Sequence, residues 1–159
     1  MIIEFRNLLL QHCQLLHQWL QLHHVREFWD DVDRELEQVV NHYIKTDETS
    51  RYLFYMNSIA VGYIQIYDIN STHQYAKLAN LTSECCGIDF FIGNPNYLGS
   101  GLSYQIITQF IASYSQNKPT IVDPLINNHK AIHIYEKVGF STIKKFIDNG
   151  NHHLLMIKL

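Results

Sequence analysis

The chain has 159 residues, of which 47% are hydrophobic and 17% are charged. This length and composition are typical of one globular domain with a full core, and they exclude a disordered chain. The formal net charge of -3 gives no electrostatic basis for binding nucleic acid. Cys13, Cys85 and Cys86 form no CxxC pair, and charges interrupt the N-terminal stretch MIIEFRNLLLQH. We therefore expect a cytoplasmic protein that binds neither nucleic acid nor a membrane.

The first half of the chain is predicted to form a strand, two helices and a hairpin of two strands. These elements lie at 2–6, 11–22, 33–44, 51–56 and 59–69. Asp30, Asp31 and Asp33 crowd the start of the second helix, where carboxylates favour the helix dipole. Residues 70–83 show no clear period, so we predict a loop there.

The second half is predicted to alternate strands and helices. Its strands lie at 85–93, 119–124, 140–147 and 152–158, and its helices lie at about 102–115 and 127–140. The first of these strands, CCGIDFFIG, is interrupted only by Asp89, which is typical of a strand buried on both faces. The element order is therefore βααβββαβαββ, which indicates one mixed α/β domain.

Two glycines precede the first helix of the second half, in the stretch NYLGSGLS at 96–103. A helix start does not need glycine, so Gly99 and Gly101 indicate a ligand that approaches the backbone closely. The first amides of a helix lack intrahelical partners and favour an anion such as a pyrophosphate. The stretch lacks the Gly-Lys-Ser/Thr of a P-loop, and Tyr104 stands where a dinucleotide fingerprint needs glycine. The remaining alternative is an ordinary glycine-rich turn.

Two longer segments carry a family resemblance. GIDFFIGNPNYLGSGLS (87–103) and IVDPLINNHKAIHIYEKVGF (121–140) resemble the acetyl-CoA-binding half of the GNAT superfamily, and more narrowly bacterial aminoglycoside 6'-N-acetyltransferases. LLHQWLQLHHVREFW (15–29) and AVGYIQIYD (60–68) resemble that group's first helix, tryptophan loop and GYxQxY strand. The resemblance implies a single GNAT domain over 1–159. Its α+β fold would have a mostly antiparallel sheet of about seven strands and about four helices.

The same resemblance implies that acetyl-CoA is the cofactor and indicates which residues bind it. The backbone amides that would hold the pyrophosphate belong to Leu98, Gly99, Ser100, Gly101, Leu102 and Ser103. Residues that would lie along the pantetheine arm are Phe90, Phe91, Ile92, Asn128, Ala131 and Tyr135. Asn96 departs from the family, which has glutamine or arginine at that position.

The resemblance also implies roles in catalysis and acceptor binding. Asp89 would bind the acceptor ammonium and take its proton, directly or through water, and Tyr135 would protonate the leaving thiolate. The acceptor pocket would be lined by Trp29, Gln65, Tyr67, Asp89 and Asp123. Each of these residues also has an ordinary alternative as a core, turn or solvated strand residue.

The leading functional hypothesis is acetyl transfer to the 6'-amine of an aminoglycoside, an antibiotic-resistance activity, by a monomer or homodimer. The acidic residues that could hold this polycation are Asp30, Asp31, Asp33, Glu84, Asp89 and Asp123. The alternatives are another small amine, such as a polyamine or a siderophore-precursor hydroxylamine, and a non-catalytic module that senses acyl-CoA. His129 and His133 have the spacing of two ligands but no third, so no metal site is expected.

Overall fold

Seven strands form one mixed, mostly antiparallel sheet in a computed structural model that describes residues 2–29, 34–81 and 83–159. Numbered β1 to β7, the strands are Ile3–Asn7, Thr49–Met56, Ile59–Ile69, Cys85–Ile92, Thr120–Val122, Ser141–Asp148 and Asn151–Lys158. Their order in the sheet is β1-β2-β3-β4-β5-β7-β6. The β4–β5 pair is parallel, whereas β1–β2, β5–β7 and β6–β7 are antiparallel. The predicted fold class and sheet are confirmed.

Helices of very different length connect these strands. Numbered α1 to α6, they are Cys13–Leu20, His23–Arg26, Leu36–Tyr43, Gln74–Ala79, Leu102–Tyr114 and His129–Val138, with 3₁₀ turns at Leu10–His12 and Pro95–Tyr97. The four longer helices, α1, α3, α5 and α6, correspond to the four predicted ones. Each described helix is too short or too polar to serve as a membrane span.

The segment 70–83 contains α4, so the prediction of a loop there is wrong. The imidazole of His73 accepts a hydrogen bond from the backbone amide of Tyr75 and caps the helix, and Asn80 ends it in the left-handed conformation at φ 50°. The helix has only six residues, too few to display a helical period. The buried side chains of Tyr75 and Ala76 stabilise it instead.

The remaining predicted boundaries agree with the structure to within a few residues. The turn Asn57–Ser58 joins β2 and β3 with φ of 48° and 64°, as a two-residue hairpin requires. Asn128 and Gly139 cap the two ends of α6, which lies within the predicted range 127–140. The α3 helix begins at Leu36, and Asp30, Asp31 and Asp33, predicted at its start, lie outside the described residues.

Contacts between residues divide the chain into two compact units, each with its own core. The first unit comprises Met1–Gln65 and Asp89–Ser100, and the second comprises Ile66–Ile88 and Gly101–Leu159. Buried residues of the first core are Leu8, Cys13, Leu16, Trp19, Leu20, Val25, Val39, Tyr43, Leu53, Tyr63 and Phe91. One buried cluster in the second consists of Ile69, Tyr75, Ala76, Cys85, Ile121 and Leu155.

Candidate active site

The carboxylate of Asp89 is half-buried and hydrogen-bonded within the first unit. Nε2 of Gln65 donates to its Oδ2 atom at 2.8 Å, and the hydroxyl of Tyr63 donates to Oε1 of the same glutamine at 2.6 Å. Tyr63 is fully buried, at 0% exposure. An ionisable group in such surroundings is costly unless polar partners hold it. The structure therefore shows Asp89 as a held carboxylate and not as a solvated strand residue.

Trp29 lies in an aromatic cluster of the same unit. Its ring packs edge-on against Phe91 at 4.8 Å and Tyr63 at 5.9 Å between ring centroids. Its indole N–H donates to the hydroxyl of Tyr43 at 3.0 Å, which fixes the ring orientation. The family resemblance implies that Trp29, Gln65 and Asp89 line one pocket. In the structure, Trp29 and Gln65 contact Tyr63, and Asp89 contacts Gln65.

At the end of β4, a histidine side chain forms a hydrogen bond that the sequence did not indicate. Nε2 of His24 donates to the carbonyl oxygen of Ile92 at 2.9 Å. The next two amides, those of Gly93 and Asn94, both donate to the carbonyl oxygen of Val61 at 2.9 Å. The backbone of β4 therefore becomes irregular here, and the carbonyl of Ile92 already has a partner. No spacing in the sequence links His24 to a strand that begins far along the chain.

Two features of the glycine turn before α5 bear on the sequence-based prediction. Gly99 and Gly101 have φ of 69° and 76°, a left-handed conformation that side chains rarely adopt. The chain path itself therefore favours glycine at both positions, which agrees with the alternative of a glycine-rich turn and leaves the ligand a prediction. The amide of Leu98 donates to the carbonyl oxygen of Pro95 at 3.2 Å, so it already has an acceptor within the 3₁₀ turn.

The remaining part of this turn fits a bulky anion. Cβ atoms built on Gly99 and Gly101 would have no neighbour within 4 Å among the described residues, so open space lies beside this backbone. Gly101 is the N-cap residue of α5 and has no side chain that could accept a hydrogen bond from the first turn. Leu102 and Ser103 follow, and their amides belong to the first turn of a helix, where intrahelical acceptors are missing.

The predicted residues of α6 lie in the second unit. Oδ1 of Asn128 accepts a hydrogen bond from the amide of Ala131 at 3.2 Å and caps the helix. Tyr135 is buried, and its ring packs edge-on against Phe140 with 5.4 Å between centroids. Asn128 therefore has a structural role in addition to the cofactor contact that the resemblance implies.

Asp123 and Tyr67, both predicted to line the acceptor pocket, also lie in the second unit. The hydroxyl of Tyr75 donates to Oδ2 of Asp123 at 2.5 Å, and Nδ1 of His153 donates to its backbone carbonyl oxygen at 2.8 Å. The ring of Tyr67 covers Gly87, where a Cβ would approach it to 2.4 Å. Sequence reasoning missed Tyr75 and His153, because neither lies in a recognisable motif.

Two of the acidic residues considered for acceptor binding have different surroundings. Glu84 is exposed and lies 3.5 Å from the ammonium of Lys118, which also bridges to Asp68 at 3.0 Å. Glu84 thus shares one lysine with Asp68, whereas Asp89 accepts a hydrogen bond from the neutral Gln65. Among the predicted acidic residues in the described ranges, Asp89 and Asp123 are the half-buried ones.

A family model described as an acetyltransferase (GNAT) domain matches residues 9–147. The chain therefore belongs to the GNAT acetyltransferases, a family of acetyl-CoA-dependent N-acetyltransferases. This agrees with the sheet, the glycine turn and the helix caps described above.

Solved structures with the same fold differ in their described substrates. An uncharacterized protein from Bacillus halodurans is 23% identical with a TM-score of 0.87, covering 98% of this chain and 82% of that one. An aminoglycoside N(6')acetyltransferase from Legionella pneumophila is 24% identical with a TM-score of 0.81, covering 98% and 90%. A spermidine N-acetyltransferase from Vibrio cholerae, in complex with CoA and spermine, is 17% identical with a TM-score of 0.75, covering 99% and 95%.

Proposed function

We propose that this protein acetylates the 6'-amine of an aminoglycoside, with Asp89 as the base for the acceptor. The observation that carries the proposal is the half-buried carboxylate of Asp89, held by Gln65 in the unit that also contains Trp29. An amine is mostly protonated at neutral pH and must lose a proton before its nitrogen can attack a carbonyl carbon. A fixed carboxylate attracts the ammonium form and accepts that proton, directly or through water.

We further propose that the turn before α5 holds the cofactor. Bound acetyl-CoA supplies an activated acetyl group. The amides of Gly99, Ser100, Gly101, Leu102 and Ser103 would hold its pyrophosphate, and the open space beside the two glycines supports this assignment. Phe90, Phe91, Ile92, Asn128 and Ala131 would lie along the pantetheine arm.

The family resemblance supports Tyr135 as the proton donor in the proposed chemistry. The new bond joins the acceptor nitrogen to the acetyl carbon, while the bond from that carbon to sulfur breaks. Asp89 takes the proton from nitrogen, and the hydroxyl of Tyr135 gives a proton to the departing thiolate. This assignment makes Tyr135 a proton donor, so its phenol must be protonated at the working pH.

The acceptor class follows from charge and shape. An aminoglycoside is a hydroxyl-rich polycation, so carboxylates, amides and aromatic faces are the groups suited to bind it. Asp123, Gln65, Trp29 and Tyr67 supply these groups. The spermidine acetyltransferase of the same fold makes polyamines the necessary comparison in any test.

The first test of this function is a thiol-release assay with acetyl-CoA and a panel of amines. Compounds with a free 6'-amine should release CoA, whereas analogues with a 6'-hydroxyl, spermidine and peptide amines should not. The KM for the aminoglycoside should rise with salt, because a polycation held by carboxylates is screened. The protein's own cysteines are all buried, and burial raises the pKa of Cys85 to about 11, so a thiol reagent should give low background.

Each outcome of this panel discriminates between specific hypotheses. Equal turnover of the 6'-amine and 6'-hydroxyl compounds contradicts 6' regiospecificity. If spermidine alone is acetylated, the acceptor is a polyamine, and the proposal of acetyl transfer still holds. If no amine on the panel releases CoA although acetyl-CoA binds, the proposed acceptor is wrong and a module that senses acyl-CoA is favoured.

A further inference from the structure

We propose that Tyr63 and Gln65 form a positioning pair for Asp89. In this pair, the hydroxyl of Tyr63 sets the orientation of the Gln65 amide, so that its N–H and not its oxygen faces the carboxylate. The inference rests on the proposed role of Asp89 as the acceptor's base. The two hydrogen bonds of the pair keep this base oriented and ionised before the acceptor binds.

The geometry of the pair is a continuous chain of hydrogen bonds. The Tyr63 hydroxyl lies 2.6 Å from Oε1 of Gln65, and Nε2 of the same amide lies 2.8 Å from Oδ2 of Asp89. The ring of Tyr63 is stacked on Phe91 at 5.6 Å and has no exposed surface, so the hydroxyl is held in place. All of these residues belong to the first unit.

The two ends of a glutamine amide are chemically different, and this difference carries the argument. An ionised carboxylate only accepts hydrogen bonds, so it can pair with Nε2 but not with Oε1. If the amide turned over, Oε1 would face Asp89, and the contact would be favourable only with a protonated carboxyl group. The orientation of Gln65 is therefore coupled to the proton on Asp89.

Tyr63 selects the orientation that suits the ionised carboxylate. Burial raises the pKa of Tyr63 well above 10, so its hydroxyl remains a donor at every working pH. Oε1 of Gln65 can only accept a hydrogen bond, so at 2.6 Å the hydroxyl hydrogen of Tyr63 is directed to it. The positive charge of Arg51 partly opposes the rise in the pKa of Tyr63.

Arg51 is itself fixed on β2. Its two terminal nitrogens donate to the two carboxylate oxygens of Asp47 at 2.8 and 2.9 Å. The titratable or charged groups that act on the Tyr63 hydroxyl among the described residues are Tyr43 from α3, Arg51 from β2 and Asp89 from β4. The salt bridge to Asp47 therefore fixes one of these charges, the guanidinium of Arg51.

The test is a direct titration of Asp89 by carbon NMR of the aspartate carboxyl groups. Asp89→Asn assigns the signal. Removing the amide donor in Gln65→Leu should raise the titration midpoint by roughly one to two pH units, because a hydrogen bond to the charged form is lost. Tyr63→Phe keeps the stacked ring but frees the amide to turn over, so the midpoint should rise by a smaller amount.

Tyr43→Phe is the matched control. It also removes the hydroxyl of a buried tyrosine in the same aromatic cluster, but that hydroxyl accepts a hydrogen bond from Trp29, whereas the hydroxyl of Tyr63 donates to Gln65. Tyr43 influences the pKa of Tyr63 but its removal leaves the Tyr63–Gln65 hydrogen bond in place, so the midpoint should move by less than in Tyr63→Phe. In an enzyme with measurable turnover, the acidic limb of the kcat/KM profile of Tyr63→Phe should move to higher pH together with its NMR midpoint.

An unchanged Asp89 midpoint in Gln65→Leu overturns the inference. The same holds if Tyr63→Phe and Tyr43→Phe raise it equally, since Tyr63 would then act only through general packing. If Tyr63→Phe does not fold, Gln65→Leu alone decides, because that side chain is only half-buried. The titration needs no acceptor, so a shifted midpoint in a protein that acetylates no amine supports the positioning pair and contradicts only the proposed function.

Discussion

The substitution Gly101→Ala tests whether the turn before α5 needs glycine for its backbone conformation alone or also for binding a phosphate group. The Gly101 φ of 76° means that any side chain there is strained, and this strain alone lowers stability. Gly150, in the hairpin between β6 and β7, is a matched control with φ of 79° and no atom within 4 Å of its Cβ position. A left-handed alanine costs about 1 kcal/mol at either site.

The expected magnitudes follow from this match. Without ligand, Gly101→Ala and Gly150→Ala should each lower Tm by about 2–4 °C, the shift typical of about 1 kcal/mol in a domain of this size. Acetyl-CoA at about 100 times its Kd stabilises the wild type by about 2.7 kcal/mol. If the added methyl group weakens binding about 100-fold, only about 0.4 kcal/mol remains. Gly150→Ala should retain the full stabilisation.

Thermal unfolding with and without acetyl-CoA measures both effects on the same samples. Gly99→Ala, at φ of 69°, should behave like Gly101→Ala and lose the ligand-induced shift. The phosphate assignment is refuted if Gly101→Ala keeps the same ligand-induced shift as Gly150→Ala. The glycines would then serve only the chain path into α5.

Two further predictions concern the proposed catalytic residues and the acid stability of the first unit. Asp89→Asn should lower kcat/KM for the amine by roughly 10²–10⁴, with little change in acetyl-CoA binding. Tyr135→Phe should mainly lower kcat. Near-wild-type turnover by Asp89→Asn contradicts the assignment of Asp89 as the base. A hydrogen bond from Arg51 holds the pKa of Asp47 below its ordinary 3.8, so this ionised group stabilises the fold above that pH and the contribution is lost as the pH falls. Asp47→Asn should therefore lower Tm at neutral pH and flatten its decline in acid, and parallel Tm–pH curves for the two proteins contradict this.

Elements that depend on neighbouring residues were predictable from the sequence. The hairpin turns, the caps of α6 and the apolar strand β4 all follow from residues a few positions apart, so local pattern is sufficient. The short helix α4 was not predictable in this way. Its stability depends on burial of Tyr75 and on the hydrogen bond from that tyrosine to Asp123, which lies 48 positions away.

The candidate site also has features that the sequence predicts and features that depend on the tertiary structure. An acid in an apolar strand marks Asp89 as unusual from sequence alone, and the family resemblance also points to Gln65. That these two side chains bond to each other, across 24 positions, is decided by the placement of their strands in the sheet. The proposed role of Tyr63 likewise depends on a contact between side chains, the hydrogen bond from its hydroxyl to Gln65.

The glycine turn shows the physical reason most directly. The sequence by itself determined that two glycines precede a helix, and from this it predicted a place for an anion. Only the tertiary structure decided that both adopt positive φ and that the Leu98 amide already has an acceptor. Residue order specifies which conformations the chain can adopt locally, whereas dihedral angles and hydrogen-bond partners depend on where distant segments pack.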